Sequence, residues 1–195
     1  MSEKELKTLL IQNIRSKTQV SEKEADIINA AYRPLVLKKK KDLLRAGEVC
    51  QNMYFIGKGC LRSYLVDTKG AERIYQIGVE NHWIGDLYSF YNQVPSELYI
   101  ETIEQSALLM ISHDRLEQLF LEVPKLERFY RILFQRAYTA TLHRLHTALT
   151  ETAQSRYQAL VEKQPDLIRR VPLIYIASYL GITPESLSRI RKQSS

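Results

Sequence analysis

Cysteine is scarce in this sequence: Cys50 and Cys60 are the only two among 195 residues. Two thiols cannot build a disulfide framework or a four-thiolate metal site. Both are expected as small buried residues rather than as a redox pair. Long apolar runs are missing as well. The longest uncharged stretch, Val171 to Pro184, has fourteen residues, too few to span a bilayer. The opening Met1-Ser2-Glu3-Lys4-Glu5 is charged where a secretory signal is apolar. A soluble, cytoplasmic protein with no membrane partner is expected. No P-loop, dinucleotide fingerprint or nucleophile–base pairing occurs, so no catalytic residue and no enzyme is expected. The rest is ordinary: 45% hydrophobic and 26% charged residues make a globular composition. Lys+Arg 28 against Asp+Glu 22 leaves +6, which permits a polyanionic partner without requiring one.

Glycine is rare outside one segment. Six of the seven lie between Gly47 and Gly85, and the seventh is Gly181. Glycine supplies positive φ to tight turns and weakens helix interiors. The middle of the chain is therefore predicted as strands and turns, and the remainder as mostly helical. Leu6, Leu9, Leu10 and Ile14 form one helical face. Ser21-Glu22-Lys23-Glu24 is a capping-box pattern opening a second helix, with Pro34 as its stop. Lys38 to Lys41 is read as a solvated strand edge. From Asp42 onward, short apolar pieces such as Met53–Ile56, Cys60–Val66 and Arg73–Ile77 alternate with turns. That cadence predicts antiparallel hairpins closing into a small barrel or sandwich, ended by strands over Leu98–Ile103 and Ala107–Ile111.

After Pro124 no glycine or proline occurs until well past Leu149. Two apolar lines run along this predicted helix: Leu126, Tyr130, Leu133, Ala137, and Phe134, Tyr138, Leu142, Leu145, Leu149. Such a helix is about 35–40 Å long. Two lines are more than one small barrel covers, so one is expected on the barrel and the other on a second copy. Which line faces the partner stays open.

The most specific pattern lies at the end, in residues 173 to 192. Ala177 permits a close helix crossing, and Gly181, four places later, suits a left-handed turn. Ile176, Leu180, Ile182, Leu187 and Ile190 supply the inner faces, Thr183 a cap and Pro184 a helix opening. This predicts a helix-turn-helix. Its second helix offers Glu185, Ser186, Ser188, Arg189, Arg191 and Lys192. From Arg169 on there are five basic residues, with Arg170 among them, and one acid, Glu185. The local excess suits salt-dependent contact with DNA phosphates. Arg189 fits a guanine edge and Glu185 a cytosine amino group. Alternatively these two pair on the helix surface.

Barrel, long helix and terminal helix-turn-helix, in that order, resemble the Crp/Fnr family of bacterial transcription regulators over roughly residues 20 to 193. The stretch Tyr179 to Ile190 carries the most specific part of the likeness. The resemblance implies an α+β fold: N-terminal helices with an antiparallel β-roll (a double-stranded β-helix) over 1–122, a long dimerisation helix over 123–150, and a helix-turn-helix domain over 151–195 without an evident wing. It implies a homodimer on double-stranded palindromic DNA, with a small-molecule effector of unknown identity and RNA polymerase as further partners. Thr183, Glu185, Ser186, Ser188, Arg189, Arg191, Lys192, Arg169 and Arg170 would touch DNA. In place of the wing, Arg156 and Lys163 join Arg169 and Arg170 as candidates for phosphates. Leu126, Tyr130, Leu133, Ala137, Tyr138, Leu142 and Leu145 would form the dimer helix.

The effector site departs from the family. Its phosphate-binding cassette opens with glycine, glutamate and leucine and later carries an arginine followed by serine or alanine. Here Gly85-Asp86-Leu87 matches the opening, but the later pair is Ser96-Glu97. A buried phosphate needs a cation, so cAMP is not expected to bind; Arg62 or Arg73 are the candidate substitutes. Two cysteines are too few for an oxygen-sensing cluster. His82, His113, His143 and His146 form no haem signature, and His143 and His146 are expected as helix-surface residues, so no cofactor or metal is expected. The competing reading is a cupin-like small-molecule or metal-binding barrel with a non-DNA-binding helical module. The single histidine of the glycine-rich segment, His82, counts against it.

Overall fold

The computed structural model describes residues 1–193. Two short helices come first, α1 (Glu3–Arg15) and α2 (Glu22–Ala31). Each starts on a capping box, at Ser2 with Glu5 and at Ser21 with Glu24; the Ser21 box matches the sequence reading. The second helix stops at Ala31, ahead of Pro34. That proline instead sits in strand β1 (Arg33–Leu37), at the edge of its sheet, where a missing N–H costs no ladder bond.

Seven further strands follow: β2 (Asp42–Leu44), β3 (Asn52–Lys58), β4 (Leu61–Val66), β5 (Glu72–Gly78), β6 (Trp83–Ile84), β7 (Tyr99–Thr102) and β8 (Ser106–Ser112). They form two four-stranded antiparallel sheets, ordered β1-β8-β3-β6 and β2-β7-β4-β5. Apart from the β4–β5 hairpin, consecutive strands switch between the sheets, which produces the roll. Lys38 to Lys41 form the exposed turn joining β1 to β2, not a strand edge. Gly59 has φ +108, and a Cβ there would lie 2.7 Å from the Ser106 Cα. Glycine at that position thus allows the β3–β4 and β7–β8 turns to touch.

Helix α3 (Leu87–Asn92) interrupts the roll, and α4 (His113–Glu122) follows it on a Ser112 cap. The main core joins α1, α2 and α4 to the outer face of the β3 sheet. Leu6, Leu10, Ile28, Phe55, Trp83, Leu116 and Phe129 are all buried there. Trp83 is its hub: Tyr32, Phe55, Phe129 and Tyr130 surround it at 5.3–6.0 Å between ring centres.

Helix α5 runs from Lys125 to Thr150. Four shorter helices end the chain: α6 (Ala153–Lys163), α7 (Pro165–Arg170), α8 (Leu173–Tyr179) and α9 (Pro184–Gln193). Among the described residues no helix is long and apolar enough to cross a membrane.

Candidate functional site

The helix pair α8 and α9 is built on the residues expected of it. Ala177 is fully buried at the crossing. Gly181 adopts φ +70 with open space around its would-be Cβ, so glycine serves the backbone and not the packing. The Ile182 N–H closes the turn on the Ala177 carbonyl at 3.0 Å. The Thr183 hydroxyl accepts the Ser186 N–H at 3.2 Å, capping α9. Leu187 is buried, and Ile182 and Ile190 pack beside it. The opposite face of α9 carries Glu185, Ser188, Arg189 and Lys192 in solvent, with Arg191 also exposed and Ser186 half-buried. Arg189 donates to the Ser186 hydroxyl at 3.4 Å rather than pairing with Glu185. The Glu185 carboxyl is held below its usual range, first by its own backbone N–H and then by the Thr183 hydroxyl.

Three of the cations expected to serve DNA have other partners. Arg170 lies between Glu80, at 2.8 and 2.9 Å, and Glu104. These two carboxylates hold its guanidinium strongly charged. Arg156 donates to the carbonyls of Glu151 at 2.6 Å and Leu180 at 3.1 Å, tying α6 to the ends of α5 and α8. Arg170 and Arg156 are therefore structural. Arg169 pairs only with Asp166, both largely exposed, and Lys163 is exposed.

Arg170 belongs to a seam between the roll and the last helices that the sequence did not announce. Cys60 and Ile103 of the roll share a core with Tyr157, Leu167, Val171, Ile176, Ala177 and Leu187. Burial pushes the Cys60 thiol up to about 12, so it stays protonated and acts as a small apolar filler. The Ser178 hydroxyl accepts the Ile74 N–H at 2.9 Å and donates to the Glu72 carbonyl at 3.0 Å. It thus takes the place of a strand on the free edge of β5.

Arg62 is the largest correction. It lies on the outer face of its sheet, buried, bound to Glu72 and to Glu101 at 2.6 Å. Its guanidinium is sandwiched between the rings of Tyr64, at 4.1 Å, and Tyr175 of α8, at 4.0 Å. Burial works against its charge, and the two carboxylates outweigh that. Arg73 points to solvent and pairs with Asp67 at 2.7 Å. Neither arginine is available to a phosphate inside the roll.

The cassette satisfies itself instead. Asp86 caps α3, accepting the N–H groups of Tyr88 at 3.0 Å and Ser89 at 3.3 Å. Its other oxygen accepts the Ser96 hydroxyl at 2.6 Å. Gly85 packs against Met53, Leu87 against the core, and Glu97 faces solvent. A side-chain carboxylate thus occupies the N–H groups at the start of α3, and among the described residues no arginine is bound to it. Isothermal titration with cAMP is expected to give no binding heat; a stoichiometric, saturable signal would refute this account of the cassette.

The long helix answers the question its two lines posed. Leu126 and Tyr130 are buried in the chain's own core, and Leu133 packs against it. Leu126 and Tyr130 are therefore not free to form a dimer face, whereas Leu133 is only half covered. Ala137 is exposed, and Tyr138, Leu142, Leu145 and Leu149 are 66, 45, 58 and 78% exposed. His143 and His146 are exposed on the same helix.

Comparison with known proteins agrees with this architecture. Residues 34–122, from β1 through α4, match the family model described as cyclic nucleotide-binding domain. The anaerobic regulatory protein of Haemophilus influenzae is 24% identical over 185 residues, spanning 88% of this chain and 70% of that protein. The c-di-GMP-responsive global regulator of Xanthomonas campestris superposes with a TM-score of 0.69 at 18% identity, covering 89% of this chain and 91% of that one. A transcriptional regulator of the Crp/Fnr family from Eubacterium rectale gives a TM-score of 0.68 at 14% identity, covering 89% and 83%.

Proposed function

We propose that this chain is a transcription regulator of the Crp/Fnr type, like the regulators it resembles, and that it binds DNA as a homodimer, with α9 as the reading helix. One observation carries this reading: α9 buries Leu187 on α8 while Glu185, Ser188, Arg189 and Lys192 stand in solvent on its other side. That is the form of a helix meant for a major groove. The division of labour follows the elements: residues 1–122 for sensing, 123–150 for pairing two copies, 151–195 for DNA. The exposed stripe from Tyr138 to Leu149 supplies the seam between copies. Two reading helices related by a two-fold axis would then meet half-sites one helical turn apart. The protein acts in the cytoplasm, with RNA polymerase as a partner, and is a regulator rather than an enzyme. Its signal reaches the roll by a route other than cyclic nucleotide in the cassette. The metal-binding barrel reading is set aside, since His82 lies exposed on a turn beside the Glu80 carbonyl.

Selection of bound duplexes from a random pool tests the reading directly. A palindromic site should emerge for the native protein. Arg189→Ala should weaken binding to that site by about 1–3 kcal/mol and relax preference at one symmetric position. Unchanged affinity and unchanged preference would rule out α9 as the reader.

A further inference from the structure

Helix α5 leaves the roll after Phe134. From Gln135 to Thr150 its residues are exposed except Arg144 and Thr147, which are half-buried. Arg144 is covered because it crosses to two other elements. Its guanidinium donates to the Tyr75 carbonyl at 2.5 Å. It also lies against two rings, 5.7 Å from the centre of Tyr75 and 5.1 Å from that of Tyr179, within the reach of a cation–aromatic contact. Tyr75 is the extra residue of a bulge in β5. Ser63 pairs with Gln76 and Tyr64 with Ile74, so Tyr75 has no opposite number in β4. A bulge re-aims one residue of a strand, and here that residue meets α5.

Helix α8 thus receives two arginines. Tyr175 and Tyr179 are four apart and share one face of the helix. Arg62 of β4 stacks on the first and Arg144 of α5 on the second. Between them, Ser178 binds the edge of β5. Arg62 and Ser178 tie α8 to the roll, whereas Arg144 ties it to α5. Arg144 stands between Leu142 and Leu145 of the exposed stripe. Tyr179 ends α8, two places before the Gly181 turn that leads to α9. A line of contact therefore runs from the stripe through Arg144 and Tyr179 to the reading helix.

We propose that Arg144 is a positioning residue that fixes the separation of the two half-sites. This inference rests on the DNA-binding reading above. The angle between α5 and α8 sets how far each α9 stands from the two-fold axis. One added base pair moves a half-site by about 3.4 Å and turns it by about 35°. A small swing of α8 on α5 thus changes the spacing that both reading helices can meet at once. The guanidinium suits the task, because its plane stacks and its edge donates in the same pose, which a lysine ammonium does not reproduce. The bases preferred within each half-site depend on α9 and not on Arg144.

The test compares the native protein with Arg144→Gln, Arg144→Lys and Tyr179→Leu. Each is offered duplexes in which two copies of the selected half-site are separated by different numbers of base pairs. The native protein should favour one spacing over its neighbours by about tenfold or more. In Arg144→Gln and in Tyr179→Leu the margin should shrink to about threefold or less, with the preferred bases unchanged. Combining the two changes should add little, since both break one contact. Arg144→Lys should fall between native and glutamine. A spacing preference as sharp as the native one in both Arg144→Gln and Tyr179→Leu would overturn the assignment, as would altered base preference at an unaltered spacing. Variants that sediment as monomers would overturn it too, by making Arg144 part of the seam itself. Failure of the native protein to select any palindrome would overturn the DNA reading and this inference with it.

Discussion

Replacing Arg62 with methionine is expected to cost about 3–5 kcal/mol of stability. The guanidinium is 4% exposed and is shared by Glu101, 14% exposed, and Glu72, 43% exposed. Removing it strands the Glu101 carboxylate in a poorly solvated position and takes the cation from between the rings of Tyr64 and Tyr175. Methionine fills much of the volume, so most of the loss is electrostatic. Urea unfolding should report it as a lower midpoint. The double variant Arg62→Met, Glu101→Gln should recover part of the deficit, since the second change removes the stranded charge. A loss below about 1 kcal/mol, with no recovery in the double variant, would show that Arg62 is a passenger on the sheet.

A second large effect is expected on α5. Tyr138, Leu142, Leu145 and Leu149 step by four, three and four along an exposed face, the spacing of a two-helix seam. Leu142→Glu with Leu145→Glu removes four leucines from a symmetric interface and faces carboxylates against their own copies. At about 1.5–3 kcal/mol per buried leucine, even half the sum, about 3–6 kcal/mol, raises the dissociation constant by roughly a hundredfold or more. Sedimentation equilibrium should show monomers at concentrations where the native protein is dimeric. The helical signal should stay intact, because the roll-facing residues Leu126, Phe129 and Tyr130 are untouched. Occupancy of a palindromic duplex should fall in parallel. A variant that still sediments as a dimer would place the seam on another face.

These two sites differ in how far the sequence disclosed them. The α5 stripe was legible because a helix writes its faces at spacings of three and four. The α8–α9 pair was legible for the same reason: Ala177, Gly181, Thr183 and Pro184 impose their constraints within a few residues. The capping box at Ser21 is equally local. The seam was not legible. Glu80 and Arg170 are separated by 90 positions, and Glu72 and Ser178 by 106, and no local pattern links them. Net charge counted Arg170 with the free cations, since a sum cannot distinguish a paired arginine from an open one. The sequence alone allows Arg62 in the effector pocket, because its side of the sheet depends on register. One residue of slip exchanges inside for outside, and a bulge between Ser63 and Tyr64 lies immediately after it. The cassette was half legible. The absence of its arginine was plain, but the closure of Asp86 on Ser96 depends on bringing α3 and the strand that follows into contact.

The hydroxyl of Ser178 against β5 has a consequence for how this molecule can be taken apart. Cut away the final helices, and the roll is left with a bare strand margin beside newly wetted Cys60, Ile77 and Ile103. An unpaired edge next to apolar surface invites aggregation. A truncated roll would therefore be a sticky fragment rather than a portable sensor, and grafting it onto a different output would require a replacement lid for that margin.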